Sequence, residues 1–130
     1  MVKYGILEAK GFEVIHNSQG WRIAEHAYEE SVNGIPSFVN WGRHLDSEEA
    51  FLLLCGKGWL VTSTDGSDYE IHPLKDGELQ LVETAERHAI LLAEGARALI
   101  VENQDMSNSV TEPIEKELAA KILEEIAKMG

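Results

Sequence analysis

The chain has 130 residues, of which 44% are apolar and 26% are charged, as in one folded domain rather than a disordered chain. Its formal net charge of −12 repels a phosphate backbone, so we expect no nucleic acid partner. No stretch approaches the roughly 18 apolar residues of a membrane span, and the first residues form no signal-peptide core. We therefore expect a cytoplasmic protein with no membrane partner.

The first half of the chain contains two segments with clear strand patterns. "WRIAEHAY" alternates in polarity, which predicts a half-buried strand with Arg22, Ala24 and His26 on one face. "AFLLLC" is apolar at every position, which predicts a strand that is covered on both faces. Its last residue, Cys55, is the only cysteine and is expected to be a buried small hydrophobe.

Turn residues divide the next part of the chain into further short strands. Asp65-Gly66 separates "KGWLVTST" from "DYEIHPL", which predicts a β-hairpin. Asp76-Gly77 opens "ELQLVE", and "HAILLA" turns at Glu94-Gly95 into "ARALIVEN". Many short strands with few helices are typical of a β-sandwich or β-barrel.

The pattern changes at Thr111, after which apolar residues recur every four positions with glutamates and lysines between them. These apolar positions are Ile114, Leu118, Ile122 and Ile126. They predict an amphipathic helix with Thr111 as its N-cap, packed on the outside of the barrel or, alternatively, against a partner protein. We divide the chain into a β-barrel domain over residues 1–110 and a C-terminal helix over residues 111–130.

Two stretches between Trp41 and Asn103 carry polar residues at a defined spacing. His44 lies five residues before Glu49, and Gly56 follows Glu49 by seven residues. In the second stretch, "GELQLVETAERHAILL", the informative feature is the separation between Gly77 and His88. The two stretches, with a predicted hairpin between them, resemble the two motifs of the cupin superfamily, which consists of small jelly-roll barrels.

The resemblance implies an all-β fold, a double-stranded β-helix or jelly-roll barrel, here with a C-terminal α-helix. It also implies a metal site built from His44, Glu49 and His88. The metal in this family is often iron, manganese, zinc or nickel. Two imidazoles and one carboxylate leave open coordination positions on a divalent transition metal, where substrate can bind.

The sequence departs from the cupin pattern at several positions. Gly42 stands where the first motif has its first histidine, and Glu83 replaces the proline of the second motif. Asp46, two residues after His44, is a candidate replacement ligand because alternate residues of a strand share a face. The alternative is a metal-free pocket in which the motif glutamate is the charged partner of the two histidines.

The other polar residues that attract attention are expected outside the pocket. His16 and His72 lie in predicted surface segments, and His26 belongs to a strand with a core face. Arg43 and Arg87 each precede a motif histidine, so on a strand they should point away from the pocket.

Three functions remain open at this point, because one fold supports many activities. The leading hypothesis is a protein that binds a small polar metabolite, a sugar or an organic acid, in the barrel pocket. The second is a metal-dependent enzyme, an isomerase or a dioxygenase, and the third is a structural or interaction protein with an idle pocket. Small cupins commonly form dimers, so the resemblance also implies a homodimer.

Overall fold

The computed structural model describes all residues from 1 to 130 and contains ten strands in two five-stranded antiparallel sheets. The first sheet contains, in spatial order, β1 (Gly11–Asn17), β2 (Trp21–Ala27), β9 (Arg97–Asn103), β4 (Glu49–Cys55) and β7 (Leu79–Val82). The second contains β10 (Ser109–Pro113), β3 (Asn40–His44), β8 (Arg87–Leu92), β5 (Gly58–Ser63) and β6 (Glu70–Pro73). Chain neighbours repeatedly lie in different sheets, which is the jelly-roll arrangement that the sequence predicted.

Helical structure is confined to two short segments between β2 and β3 in the chain and one helix at the C-terminus. The short segments are α1 (Glu30–Asn33) and a 3₁₀ turn (Ile35–Ser37), and the C-terminal helix is α2 (Lys116–Met129). No helix in the chain is long and apolar enough to span a bilayer.

Strand β4 is covered on one face only, so the prediction that both of its faces are covered is wrong for the single chain. Phe51 and Leu53 point into the core and are 1% and 6% exposed, whereas Leu54 is 38% exposed. Cys55 ends the strand and is exposed, which corrects its predicted burial. An apolar run shows that a strand can be covered on both faces, but not whether the same chain supplies the cover.

The predicted hairpin at Asp65-Gly66 is present, with β5 and β6 paired in antiparallel register. Gly66 has a φ of +91°, a conformation that favours glycine. The Asp68 carboxylate closes the turn by accepting hydrogen bonds from the Ser63 hydroxyl at 2.8 Å and the Thr64 backbone N–H at 2.9 Å.

Helix α2 begins at Lys116, so the prediction of Thr111 as the N-cap is wrong. Thr111 lies in β10 and pairs with Gly42 in β3. Its backbone belongs to the sheet ladder, a long-range pairing that a local capping pattern does not reveal. The domain boundary predicted at residue 111 therefore falls inside a strand of the barrel.

The apolar stripe of α2 packs on the outer side of the second sheet. Ile122 and Ile126 are 0% and 2% exposed and join a buried cluster that contains Trp41, Val61 and Leu91. The hypothesis of an interaction protein depended on this stripe being exposed. Because the stripe is packed on the barrel, that hypothesis loses its support.

We expect Ile122→Ala to lower the free energy of unfolding by about 2–5 kcal/mol, because it empties a fully buried site. Urea denaturation followed by circular dichroism measures this change. Met129→Ala, in the same helix at a side chain that is 49% exposed, is the matched control and should have little effect. Equal losses in the two variants would contradict the packing of α2 on the barrel.

Candidate metal centre

Three polar side chains from three strands meet at one end of the barrel. His44 is the last residue of β3, His88 lies in the neighbouring β8, and Glu49 opens β4 in the opposite sheet. The pairing of Gly42 with His88 fixes the register that brings the two histidines together. One ligand atom from each of the three side chains lies within 4.8 Å of the others.

Their side chains face one another closely without forming well-directed hydrogen bonds. Glu49 Oε2 lies 2.8 Å from His44 Nε2 and 3.6 Å from His88 Nε2. The Glu49 and His88 side chains are each 8% exposed. Glu49 Oε2 is nevertheless a buried atom with no hydrogen-bond partner, because the imidazole nitrogens do not approach it with hydrogen-bond geometry.

The second nitrogen of each ring shows which tautomer the neutral histidine adopts. His88 Nδ1 lies 3.1 Å from the backbone oxygen of Glu86, which can only accept, so Nδ1 carries the proton. The Ser109 hydroxyl donates to the Met106 carbonyl at 2.7 Å and therefore accepts from His44 Nδ1 at 2.9 Å. In both neutral rings the lone pair is on Nε2, the nitrogen that faces Glu49.

This arrangement fits a divalent transition metal. Two imidazole lone pairs and one carboxylate oxygen converge on a site where Glu49 Oε2 has no hydrogen-bonding partner. Ligand atoms about 2.1 Å from a shared metal lie no more than about 4.2 Å apart, so small side-chain movements would bring all three into coordination distance. The hydrogen bonds at Nδ1 are those that orient ligating histidines in metal sites.

Protons could take the place of a cation if no metal were bound. Burial acts to raise the pKa of Glu49, but the close contacts with His44 and His88 outweigh it and lower the pKa to about 2. Burial acts to lower the pKa of His88, but the Glu49 carboxylate outweighs it and raises the pKa above 6.5. The carboxylate is thus ionised at neutral pH and favours either a metal or a protonated imidazole beside it.

The sequence matches no family model and no curated protein. The structure resembles a cupin-2 domain protein from Shewanella frigidimarina (17% identity, TM-score 0.55, covering 72% of this chain and 80% of that one). It also resembles an RmlC-like cupin from Desulfovibrio desulfuricans (17%, TM-score 0.56, 78% and 94%). The chain has a cupin fold. An oxalate decarboxylase from Bacillus subtilis matches at 17% identity and TM-score 0.56 over 82% of this chain, which spans 29% of that enzyme.

Asp46 lies outside the three-residue group at the end of the cupin barrel. Its carboxylate accepts a hydrogen bond from the Asn108 side chain at 2.8 Å, and the residue is exposed. Strand β3 ends at His44, so the alternation that would place both residues on one face stops before Asp46 is reached. The structure does not bring the suggested replacement ligand to the site.

The three residues form part of a cavity of about 490 Å³. The lining also includes Arg22, Asn40 and Glu102, which no sequence motif indicated, and His26, whose predicted position outside the pocket is wrong. The Arg22 guanidinium binds the Glu102 carboxylate, with Nε and Oε2 2.5 Å apart. The alternation of β2 had already placed Arg22 and His26 on one face, and that signal identifies both residues once the face is known to be internal.

The two arginines and two histidines that were predicted outside the pocket do lie outside this cavity. Arg43 and Arg87 both bind Glu112, with N···O distances of 3.0 and 2.5 Å. His72 pairs with the Thr62 hydroxyl at 3.0 Å, and His16 is exposed in β1.

Proposed function

We propose that this cupin barrel holds one divalent transition metal on His44, Glu49 and His88 and binds a small polar metabolite in the cavity beside it. One observation carries the proposal: two histidines, whose other nitrogens are fixed by hydrogen bonds, turn Nε2 toward a buried carboxylate oxygen that has no hydrogen-bonding partner. Three ligand atoms that lie within 4.8 Å of one another are stabilised by a cation bound between them.

The chain's own residues divide the work at this site. Glu49 supplies the negative charge, while Ser109 and the Glu86 carbonyl orient the two imidazoles. A divalent metal there would supply Lewis-acid polarisation of a bound oxygen atom. Arg22 and Glu102 form a charged pair in the cavity lining, which suits a polar ligand better than an apolar one.

A metal-dependent enzyme, an isomerase or a dioxygenase, is the second candidate function. The observation that favours it is the number of ligands, because three protein groups leave coordination positions open to a substrate. The fold itself does not choose between binding and catalysis.

Elemental analysis of protein purified without an affinity tag tests the proposal. We expect close to one equivalent of a transition metal, and we expect stripped protein to take up one equivalent of Co²⁺ with a change in the visible spectrum. Protein that contains no metal and does not bind Co²⁺ would leave only the metal-free polar pocket. Ligand screening would then replace isomerase and oxygen-consumption assays.

The affinity for Co²⁺ should rise as the pH increases from 6 to 8. The pKa of His88 is raised in the metal-free protein, so His88 keeps its proton to a higher pH than an ordinary histidine and must lose that proton to bind metal. Release of one proton makes the affinity fall by about tenfold for each pH unit below the pKa. Co²⁺ titrations at three pH values measure the slope, and a flat profile would contradict ligation by His88.

We also propose that the protein forms a homodimer through the outer face of the first sheet. Uncharged residues paired across the strands form two short rows on this face, which we call the outer apolar patch; the second row ends beside Glu25, which pairs with Leu99 and binds Arg97. The rows are Ile23, Val101, Ala50 and Leu81, and Leu99, Leu52 and Leu79. Leu79 and Leu81 are 60% and 57% exposed. On a chain of net charge −12, an uncharged patch is where two copies can meet with little acidic repulsion.

We expect Leu81→Lys to convert a dimer into a monomer, because each copy would bury an unpaired ammonium group in an apolar interface. Sedimentation velocity at several protein concentrations measures the change. Val39→Lys is the matched control, since Val39 is 56% exposed and lies outside the patch. A wild-type protein that is monomeric at every concentration would disprove the dimer.

A further inference from the structure

His26 is a histidine of the cavity wall that the metal-site proposal does not use. It lies in β2, and its ring stands 5.0 Å from the ring of Phe12 in β1. Arg22, four residues earlier on the same strand face, also lines the cavity and binds Glu102, its cross-strand neighbour in β9. His26 is thus placed where a molecule in the cavity would pass beside it.

Asn33 fixes the tautomer of the His26 ring. The Asn33 side chain is fully buried, and its Oδ1 accepts the Glu29 backbone N–H at 2.9 Å. Its Nδ2 must therefore be the donor, and it reaches both the Ala27 carbonyl at 2.9 Å and His26 Nδ1 at 3.2 Å. His26 Nδ1 accepts this bond with its lone pair, so the ring is neutral and its proton is on Nε2.

The environment of the ring supports a neutral imidazole. Burial lowers the pKa of His26 to about 4, although the Glu49 carboxylate acts in the opposite direction and His88 adds to the decrease. Nε2 has no hydrogen-bond partner within the chain, and it is not among the buried unpartnered atoms. Its N–H is therefore a free donor that a molecule in the cavity can reach.

We propose that His26 binds the small molecule of this site by donating a hydrogen bond from Nε2 to a carboxylate oxygen. The inference rests on the proposed metal site and adds the class of ligand, a small organic acid. A divalent metal beside Glu49, together with the Arg22 and Glu102 pair, would leave the cavity with a net positive charge. That charge favours an anion, and an N–H donor at the wall favours one with an oxygen acceptor.

The tautomer can be measured without metal or ligand. Long-range ¹H–¹⁵N correlation spectra of metal-free protein at neutral pH should show the His26 proton on Nε2. Asn33→Asp should move it to Nδ1, because a carboxylate accepts where the amide donated. A wild-type ring protonated on Nδ1 would overturn the inference, whatever the metal does.

Binding is tested with Co²⁺-loaded protein titrated with malonate and with malonamide, which has a similar shape and no charge. We expect malonate to perturb the Co²⁺ spectrum and to bind more tightly than malonamide. His26→Phe keeps the ring contact with Phe12 but removes the donor, so malonate affinity should fall about tenfold or more while Co²⁺ affinity stays unchanged. His26→Gln retains an N–H donor and should recover part of the loss.

The outcomes separate this inference from the proposed function. A wild-type protein that does not bind Co²⁺ overturns the metal site, and the role of His26 at that site falls with it. Normal Co²⁺ binding with no loss of malonate affinity in His26→Phe overturns the role of His26 alone. Failure of malonate to bind the Co²⁺-loaded wild type, or equal affinity for malonamide, overturns the choice of an organic acid.

Discussion

Replacing His44 and His88 together by alanine should reduce the metal content of tag-free protein from near one equivalent to background. The two imidazoles supply two of the three lone pairs at the centre, and Glu49 alone cannot retain a metal there. Loss of one orienting partner outside the ligands costs roughly 10–100-fold in metal affinity, so removal of two ligands should cost more than that. Elemental analysis and Co²⁺ titration of the stripped protein measure the loss.

The matched control is a double variant at two histidines outside the cavity, His16→Ala with His72→Ala. His16 is exposed, and His72 pairs with Thr62 in the second sheet. This variant should keep its metal, because it removes two imidazoles without touching the centre. Metal retained after loss of His44 and His88, or lost with the control pair, would place the metal elsewhere on the protein.

The three residues of the centre could be predicted because the resemblance to the cupin motifs implied all three; only the spacing of His44 and Glu49 is local, whereas His88 lies in β8. Glu49 to Gly56 spans β4 and the turn after it, and His44 ends the strand immediately before. Their meeting in space depends on the pairing of β3 with β8 and on the position of β4 in the opposite sheet, which the sequence alone did not show. Asp46 was suggested as a ligand because the same local reasoning assumed that β3 continues beyond His44, whereas the strand ends there.

The rest of the cavity could not be predicted from local spacing. Arg22 and His26 come from β2, whose place beside β9 in the first sheet is set by pairing over a long separation in sequence. Glu102 reaches Arg22 across eighty positions of the chain. Thr111 was misassigned for the same reason, because its strand exists only through its pairing with β3.

The metal centre can also be tested by adding a ligand at Gly42. It stands two residues before His44 on the same strand, so a side chain there would share the face of His44 and enter the cavity that Gly42 already lines. A Cβ at this position would meet its nearest neighbour, the backbone oxygen of His88, at 3.8 Å, which is ordinary contact. The backbone at position 42 therefore has room for the Cβ of a histidine.

We expect Gly42→His to bind Co²⁺ about tenfold more tightly than the wild type, or better, because a fourth protein ligand replaces solvent on the metal. Gly42→Phe is the control of similar size, since it makes the same backbone substitution and adds no ligating atom. It should leave the affinity unchanged or weaken it. If the two variants bind Co²⁺ equally, the side chain at position 42 does not reach the metal, and the centre in this barrel differs from the arrangement that the cupin resemblance implies. If only the histidine strengthens binding, the site has the geometry of a four-ligand centre, and the natural glycine leaves one protein ligand position open to the small molecule.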